Sequence, residues 1–278
     1  MSPATIQTPA GTEVVLRNCQ GFDEIDACVR LQVETWGYND GDVIPRRMFV
    51  VAQRIGGQAI GAFETQPDGQ QMVGFAMSLP GIKSGKSNSD PPKPYLHSHM
   101  LAVTPQYRNA GIGRRLKLYQ RDEALSRGIA LMEWTFDPLE IKNAFLNIHK
   151  LGAIVRSYTP NFYGVSSSRL QGGLPTDRLV AEWELASTRV EAILDGRPAA
   201  AHSIEERILV PAAIYQWKAS SANRSRALAV QLENRKKFQE AFSRGLAVVG
   251  FSLDAEGNGI FELATSRPAG AGAQTSGT

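Results

Sequence analysis

A strand, a glycine-containing turn and a helix follow one another in residues 95–119, and this stretch constrains the fold more than any other. Residues 95–103 are mostly apolar, aromatic or β-branched and are followed by Thr-Pro, a pattern that predicts a strand. Gly111 and Gly113 follow, where apolar residues begin to recur at helical spacing. Glycine lets main-chain N–H groups approach a ligand, and the first turn of a helix attracts anions. The residues therefore predict a turn that binds a pyrophosphate.

The glycine spacing excludes two other phosphate-binding loops. A nucleotide triphosphatase loop requires Lys-Ser or Lys-Thr after its last glycine, and neither follows Gly113. A dinucleotide-binding turn requires a third glycine three residues on, where Leu116 stands. An ordinary strand-to-helix turn without a ligand remains the alternative from these residues alone.

The motif Arg108-Asn-Ala-Gly111-Ile-Gly113, after a strand that ends in Leu-Ala-Val, resembles the acyl-CoA loop of the GCN5-related N-acetyltransferase (GNAT) superfamily. The resemblance covers residues 12–186 and implies an α/β fold with a mixed sheet. It also implies an enzyme, an N-acyltransferase that moves an acetyl or succinyl group from CoA to a primary amine of a small molecule. Acetyl-CoA or another acyl-CoA, succinyl-CoA among them, would be the co-substrate, and no metal is expected.

The resemblance assigns three parts of the chain to acyl-CoA. The end of the strand would pair through its main chain with the pantetheine arm, the turn would hold the pyrophosphate, and a residue of the second helix would contact pantetheine. The residues so assigned are Leu101, Ala102, Val103, Arg108, Asn109, Ala110, Gly111, Ile112, Gly113, Arg114 and Asn143.

His97 and His99 stand two residues apart on the predicted strand, so both side chains should lie on one face, together with Leu101 and Val103. The ordinary pKa of histidine is near neutrality, and burial can hold the ring neutral and ready to accept a proton. By resemblance to arylalkylamine N-acetyltransferases, the pair is expected to relay a proton from the acceptor ammonium to water. Two core histidines with satisfied hydrogen bonds are the alternative.

The general acid is the residue that the resemblance does not supply. The tyrosine that returns a proton to the CoA thiolate in this family would fall near Ile148, and no tyrosine stands there. Tyr158 and Tyr163 are the nearest candidates, with His149 a third. Tyrosines in such loops often serve packing alone, so the identity of the acid stays open.

A closer resemblance is to a poorly characterised GNAT subfamily with a C-terminal extension, some of whose members are similar to amino-acid N-succinyltransferases. It rests on Phe136-Asp-Pro-Leu, on the segment Tyr158 to Gly164 and on Arg235 with Phe238. It implies that the amine acceptor, which could be an amino acid, binds against the first helix and the loop that follows it. There Trp36, Tyr38, Arg46 and Arg47 would provide stacking and a partner for a carboxylate. A solvated loop is the alternative for the two arginines. A catalytically silent acyl-CoA-binding or regulatory protein is the alternative function.

Composition limits the partners and the compartment. A net charge of +3 without a concentrated basic face excludes a typical nucleic-acid binder. The sequence holds no run of eighteen apolar residues and no basic, apolar leader at its start, so a cytoplasmic protein without a membrane partner is expected. Cys19 and Cys28 are the only cysteines, and no bridge between them is expected.

The alternation of predicted strands and helices implies a mixed sheet with helices on both faces. We expect a flexible tail over residues 1–12, a GNAT domain over 13–186, a C-terminal α/β extension over 187–264 and a disordered tail over 265–278. The extension should cover one side of the sheet or form a homodimer contact. Three local predictions accompany this division: a mobile loop over 81–94 with Lys83 and Lys86, a capping box that starts a helix at Asp137, and a helix over 221–244 whose buried arc contains Leu228, Leu232, Phe238 and Phe242.

Overall fold

Eleven strands lie side by side in one mixed sheet, within the residues that the computed structural model describes, which are 1–67, 69–84 and 91–265. Across the sheet the order is β1-β2-β3-β4-β5-β6-β8-β7-β10-β11-β9. Only the pair β5 and β6 is parallel among these described strands. The strands are β1 Ala4–Gln7, β2 Glu13–Asn18, β3 Gln58–Gln66, β4 Gly69–Lys83, β5 Lys93–Val103, β6 Leu131–Phe136, β7 Ile154–Thr159, β8 Arg178–Glu184, β9 Glu206–Val210, β10 Leu246–Leu253 and β11 Gly259–Thr265. The predicted mixed α/β sheet is confirmed.

Helices cover both faces of this sheet. They are α1 Gly21–Trp36, α2 Arg46–Arg54, α3 Ile112–Ser126, α4 Ile141–Ala144, α5 Thr188–Leu194, α6 Ile214–Ala219 and α7 Arg224–Ser243. A π-helical segment, Phe145–Lys150, continues α4. Helices α1 and α2 pack on one face of β3, β4 and β5, and α3 packs on the other. No helix in the described ranges is both long and apolar enough to cross a membrane.

Helix α1 forms where the apolar spacing predicts it. Ile25, Cys28 and Leu31 are buried, and the helix ends at Gly37, whose φ of 67° suits glycine. Cys28 Sγ lies 3.8 Å from Cys19 Sγ, and both thiols are free. The nine-residue separation in sequence gave no indication of this proximity.

The N-terminal segment is not the loose tail that its composition predicts. Residues Ala4–Gln7 form β1, which pairs antiparallel with β2. Ala4 and Ile6 pack against the core beneath α3, whereas Thr5 and Gln7 point to solvent. The prediction failed because a four-residue strand is stabilised by pairing with β2 rather than by any strong local pattern.

The predicted loop over residues 81–94 is strand at both of its ends, over 81–83 and 93–94. β4 extends to Lys83 and β5 begins at Lys93, and the two remain paired as far as Lys83↔Lys93. Lys83 forms an ion pair with Glu133 on β6. Lys86 and the predicted tail over 266–278 lie outside the described residues.

The capping box predicted at residues 137–140 is absent, because its two carboxylates bind elsewhere. Asp137 Oδ1 accepts the N–H of Leu139 in a local turn at 2.8 Å, and Oδ2 accepts Lys218 Nζ at 2.9 Å. Glu140 also binds Lys218, at 2.7 Å, instead of reaching back to cap the helix. Helix α4 therefore begins only at Ile141.

The extension continues the sheet, and its helix α7 also covers one face of β7, β9 and β10. β10 pairs with β7, and β11 and β9 follow toward the edge. One apolar cluster joins Trp183 of β8 to Phe261 of β11 and Phe238 of α7, so no boundary between separate cores lies near residue 187. α5, β9 and α6 had no strong local pattern and were not predicted. α7 buries Ala227, Gln231, Asn234, Phe238 and Ala241, and the predicted core residue Leu232 is 46 % exposed.

Candidate active site

A cavity of about 450 Å³ opens where the parallel strands β5 and β6 separate. The two strands pair only at Leu96↔Met132 and His97↔Glu133, and then diverge. Ser98, His99 and Leu101 line one side of the split, and Trp134 and Thr135 line the other. Since no strand fills the split, the β6-facing edge of β5 is free to pair with a ligand.

A β-bulge places His99 at this split. Met77 and Ser78 are consecutive on β4, yet they pair with Met100 and Ser98 on β5, so His99 is an extra residue. The bulge reverses the alternation of side chains along β5. Leu101 and Val103 consequently pack with the α3 face, whereas Met100 and Ala102 pack with α1 and α2.

The two histidines lie side by side, as predicted, with ring centroids 6.0 Å apart. The prediction that they share a face with Leu101 and Val103 is wrong, because the bulge lies between them. His99 lines the cavity and His97 does not. Burial lowers the pKa of His99, and burial, then the charges of His99 and Lys117, lower the pKa of His97 to about 4. Both rings are therefore neutral at neutral pH and able to accept a proton.

The predicted phosphate-binding turn forms at the far end of β5. Asn109 and Gly111 have φ values of 63° and 81°, and α3 begins at Ile112. The first N–H bonded to a carbonyl at this end of the helix belongs to Arg115, which bonds to Gly111 O at 3.1 Å. The N–H groups before it have no acceptor within the helix. Arg108, Arg114 and Arg115 carry positive charge to this end, and no carboxylate among the described residues lies within 4 Å of their guanidinium groups.

Two asparagines and a buried lysine line the side of the cavity next to α3 and α4. Asn143, predicted to contact pantetheine, lies on α4, and Asn147 follows on the π-helical segment. Lys117 reaches the cavity from α3. Ile148, where the family's acid would fall, is 1 % exposed and belongs to the core.

The opposite side of the cavity is aromatic. Trp36 and Tyr38 stack with ring centroids 5.3 Å apart, in agreement with their predicted location. Tyr163 shares a 2.9 Å hydrogen bond with Thr135 Oγ1. Arg178 lies over the Tyr163 ring at 5.3 Å.

Two loops close over this aromatic side. Asp42 accepts hydrogen bonds from the N–H and the hydroxyl of Ser167, at 2.7 and 2.6 Å, and from Ser166. The loop after α1 and the loop before β8 are thereby tied together. Hydrogen bonds from Ser167 also lower the pKa of Asp42, which keeps this carboxylate charged.

Arg46 and Arg47 do not line the cavity. Arg46 pairs with Asp26 of α1 at 3.0 Å, and Arg47 is exposed on α2. The arginine of the cavity is Arg178, which begins β8 and was missed because one arginine at the start of a strand carries no distinctive pattern.

Tyr158 also lies outside the cavity. Its hydroxyl donates to Asp177, its ring stacks on Phe238 of α7, and burial with the Asp177 hydrogen bond raises its pKa. Of the two predicted tyrosines, the structure therefore brings only Tyr163 to the site.

Comparisons with known proteins leave the family unassigned. No family model and no curated protein matches the sequence. The ribosomal-protein-S18-alanine N-acetyltransferase from Escherichia coli is similar in structure, with a TM-score of 0.46, 16 % identity, and coverage of 63 % of this chain and 96 % of that chain. An aminoglycoside 6'-acetyltransferase type Ii is similar with a TM-score of 0.45 and 20 % identity, and the match covers 62 % of this chain and 97 % of that chain. Arabidopsis thaliana Naa50, in complex with the bisubstrate analogue CoA-Ac-MVNAL, is similar with a TM-score of 0.44 and 16 % identity, and the match covers 61 % of this chain and 97 % of that chain.

Proposed function

We propose that this chain is an acyl-CoA-dependent N-acyltransferase of the GNAT type, which transfers an acetyl or succinyl group to a primary amine of a small molecule. The observation that carries the proposal is the course of strand β5. The middle of β5 borders the split between β5 and β6, and its C-terminal end leads into the phosphate-binding turn. Both parts of an acyl-CoA, the thioester and the pyrophosphate, would therefore be bound along a single strand.

The length and free edge of β5 suit the pantetheine arm. From Ser98 to Val103 the strand advances five residues, or about 17 Å at about 3.3 Å per residue. Over this length β5 has no register partner on β6. Amide groups of pantetheine would pair with the main chain of Leu101 and Val103 as an added strand does. The pyrophosphate would meet the N–H groups at the start of α3.

The chemistry would be direct attack. The acceptor ammonium gives a proton to neutral His99, directly or through water, and its nitrogen then bonds to the thioester carbon. Negative charge develops on the carbonyl oxygen, where a main-chain N–H at the bulge would stabilise it, by about 3 kcal/mol in comparable sites. The C–S bond breaks, the nitrogen loses its second proton to give the neutral amide, and the CoA thiolate takes a proton. Tyr163, whose hydroxyl faces the cavity, is the candidate acid.

The acceptor would bind between the aromatic pair and Arg178. Trp36 and Tyr38 offer an apolar wall, and Arg178 offers a charge for a carboxylate. An amino acid combines these features with a primary amine. A cytoplasmic location and a homodimer stay predictions of the sequence.

Acyl-CoA or CoA should raise the melting temperature of the wild type, because a ligand bound only by the native state stabilises it. At a concentration 100 times the dissociation constant, the gain is about 2.7 kcal/mol. Gly111→Asp should abolish this shift, because it places a negative charge beside the pyrophosphate. Differential scanning fluorimetry with acetyl-CoA measures both results.

Gly111→Asn is the matched control for this substitution. Aspartate and asparagine should be strained to a similar degree by the backbone at Gly111, whose φ is 81°, and both residues cap helices well. Asparagine should therefore retain much of the shift that aspartate loses. If no acyl-CoA stabilises the wild type at millimolar concentration, the proposed function is wrong. Stabilisation without thiol release across a broad panel of amines would favour the silent acyl-CoA-binding protein.

A further inference from the structure

Lys117 is a buried lysine for which the described residues provide no carboxylate partner. Its exposure is 4 %, it lies on α3, and its side chain lines the cavity at the split between β5 and β6. No carboxylate among the described residues lies within 4 Å of its Nζ atom. Buried charged groups are ordinarily paired, since removing an ion from water is costly.

The contacts of Lys117 satisfy only part of its hydrogen-bonding capacity. An ammonium group carries three donors. Lys117 Nζ donates to Ser98 Oγ at 2.7 Å, and that hydroxyl donates onward to Gln120 Oε1 at 2.9 Å. Nζ also lies 3.6 Å from the centroid of the Trp134 ring, an attractive position for a cation. No acceptor for the third donor is found among the described residues, and Lys117 lines the cavity.

A second buried lysine in the same chain shows the usual solution. Lys218 is 6 % exposed and binds both Asp137, at 2.9 Å, and Glu140, at 2.7 Å. These carboxylates raise its pKa against the opposing effect of burial. Burial alone, without such partners, lowers the pKa of Lys117 well below its ordinary value. Within the part of the chain that the structure describes, Lys117 therefore has no carboxylate partner of the kind that Lys218 has.

We infer that the missing carboxylate belongs to the substrate, and that Lys117 binds the free carboxylate at the end of a dicarboxylic acyl group carried by CoA. The inference rests on the proposed function, because it takes the acyl group to enter the split. A carboxylate there would accept the remaining donor of Lys117 and neutralise its charge. The methyl group of an acetyl thioester would satisfy neither need. Succinyl-CoA, with four carbons and one free carboxylate, is the simplest probe of this class.

The other charged groups of the cavity leave Lys117 available. Asp42 is held by Ser166 and Ser167. Arg178 lies on the aromatic side, over Tyr163. The titratable groups that line the cavity or lie against Lys117 are Tyr38, Asp42, His97, His99, Asp137, Glu140, Tyr163 and Arg178, with Lys218 bound to two of them.

The test compares dissociation constants of acetyl-, butyryl- and succinyl-CoA by calorimetry, which needs no acceptor. The wild type should bind succinyl-CoA about 10- to 100-fold more tightly than butyryl-CoA, the size expected of a hydrogen bond to a charged group. Lys117→Met should remove this preference, and Lys117→Arg should keep part of it. Lys236→Met, an exposed lysine on α7, is the control and should retain the wild-type ratio. Melting temperatures show whether each variant is folded.

A pH series separates binding from a merely structural role. Binding of a carboxylate should raise the pKa of Lys117, so succinyl-CoA should be bound with uptake of protons and butyryl-CoA without it. The preference should fall as pH rises and Lys117 loses its proton. Equal affinity for succinyl- and butyryl-CoA in the wild type, or a preference that survives in Lys117→Met, would overturn the inference and leave the proposed function intact. If none of the three thioesters binds, the proposed function and the inference both fail.

Discussion

Replacement of Asp177 by alanine is expected to lower the free energy of unfolding by about 3–5 kcal/mol, the usual cost of removing one partner from a buried ion pair. Asp177 is fully buried, and both of its oxygens accept hydrogen bonds from Arg235 at 2.9 Å. The hydroxyl of Tyr158 and the N–H of Asn161 bind the same carboxylate. Alanine would leave all four donors, two of them on Arg235, without this acceptor.

The loss should be visible as a melting temperature lower by about 10 °C, since about 2–4 °C corresponds to each kcal/mol in a chain of this size. Asp195→Ala is the matched control, because Asp195 pairs with Arg197 at the surface, where both side chains are about 60 % exposed. Exposed pairs of this kind contribute about 0–1 kcal/mol. Equal decreases in melting temperature for the two variants would show that the ion pair between Asp177 and Arg235 does not contribute the stability expected of a buried pair.

The ion pair between Asp177 and Arg235 also helps to position residues of the cavity. Asp177 joins α7 of the extension to the segment that carries Tyr163, Ser167 and Arg178. Loosening it should therefore raise the KM for the acceptor more than the KM for the acyl-CoA. Arg235 belongs both to a family resemblance and to a basic run, Arg235-Lys-Lys237, that the sequence assigns to the solvated side of a helix. The second assignment is wrong for Arg235, because it pairs with a buried residue 58 positions away.

Elements with strong local patterns could be predicted from sequence. The bounds of α1 and α2 agree with their apolar spacing and turn residues, and β5 with its following turn agrees with its composition and glycines. The short elements β1, β9 and α6 could not be predicted, because pairing and packing with distant residues stabilise them.

The site shows the same division at the level of single residues. Trp36, Tyr38, His99 and Asn143 line one cavity, and the sequence could single them out because strand, helix and motif positions are local properties. The bulge at His99 could not be predicted from the sequence, since it depends on the register between β4 and β5. The sequence prediction assumed that side chains alternate strictly along β5. The bulge interrupts this alternation, so the prediction placed Leu101 on the wrong face.

Long-range charge partners account for the remaining errors. The sequence Asp-Pro-Leu-Glu has the pattern of a helix cap, but Lys218, about eighty residues away, binds both carboxylates. Arg46 lies close in sequence to Trp36 and Tyr38, which line the cavity, but it begins α2 and pairs with Asp26 outside the cavity. Which charges meet is fixed by tertiary structure, so propensity rules could not assign either residue.

His99→Gln should reduce kcat by about 100-fold or more, the contribution expected of a general base, while the affinity for acyl-CoA stays within a few-fold of the wild type. Glutamine fills similar space beside the bulge but cannot take a proton from the acceptor. His97→Gln should cost less, because His97 lies next to His99 but does not line the cavity. His149, the third candidate acid of the sequence, is exposed and stacks on Phe145 outside the cavity, so it is not placed to act on the substrate and His149→Gln is the control. Release of CoA thiol measures turnover, and calorimetry measures affinity.

The pH profile provides a sharper result than the rate alone. A base must be unprotonated to act, and burial lowers the pKa of His99 below its ordinary 6.5. The wild-type rate should therefore be independent of this group at neutral pH and fall only at pH values below the ordinary range of histidine, where the ring takes a proton. A second rise at higher pH, from the acceptor's own ammonium, should follow the pKa of whichever amine is used. His99→Gln should lose the acidic limb and keep the second. An acidic limb that persists unchanged in both histidine variants would assign the proton transfer to another group and leave the histidine pair a structural role.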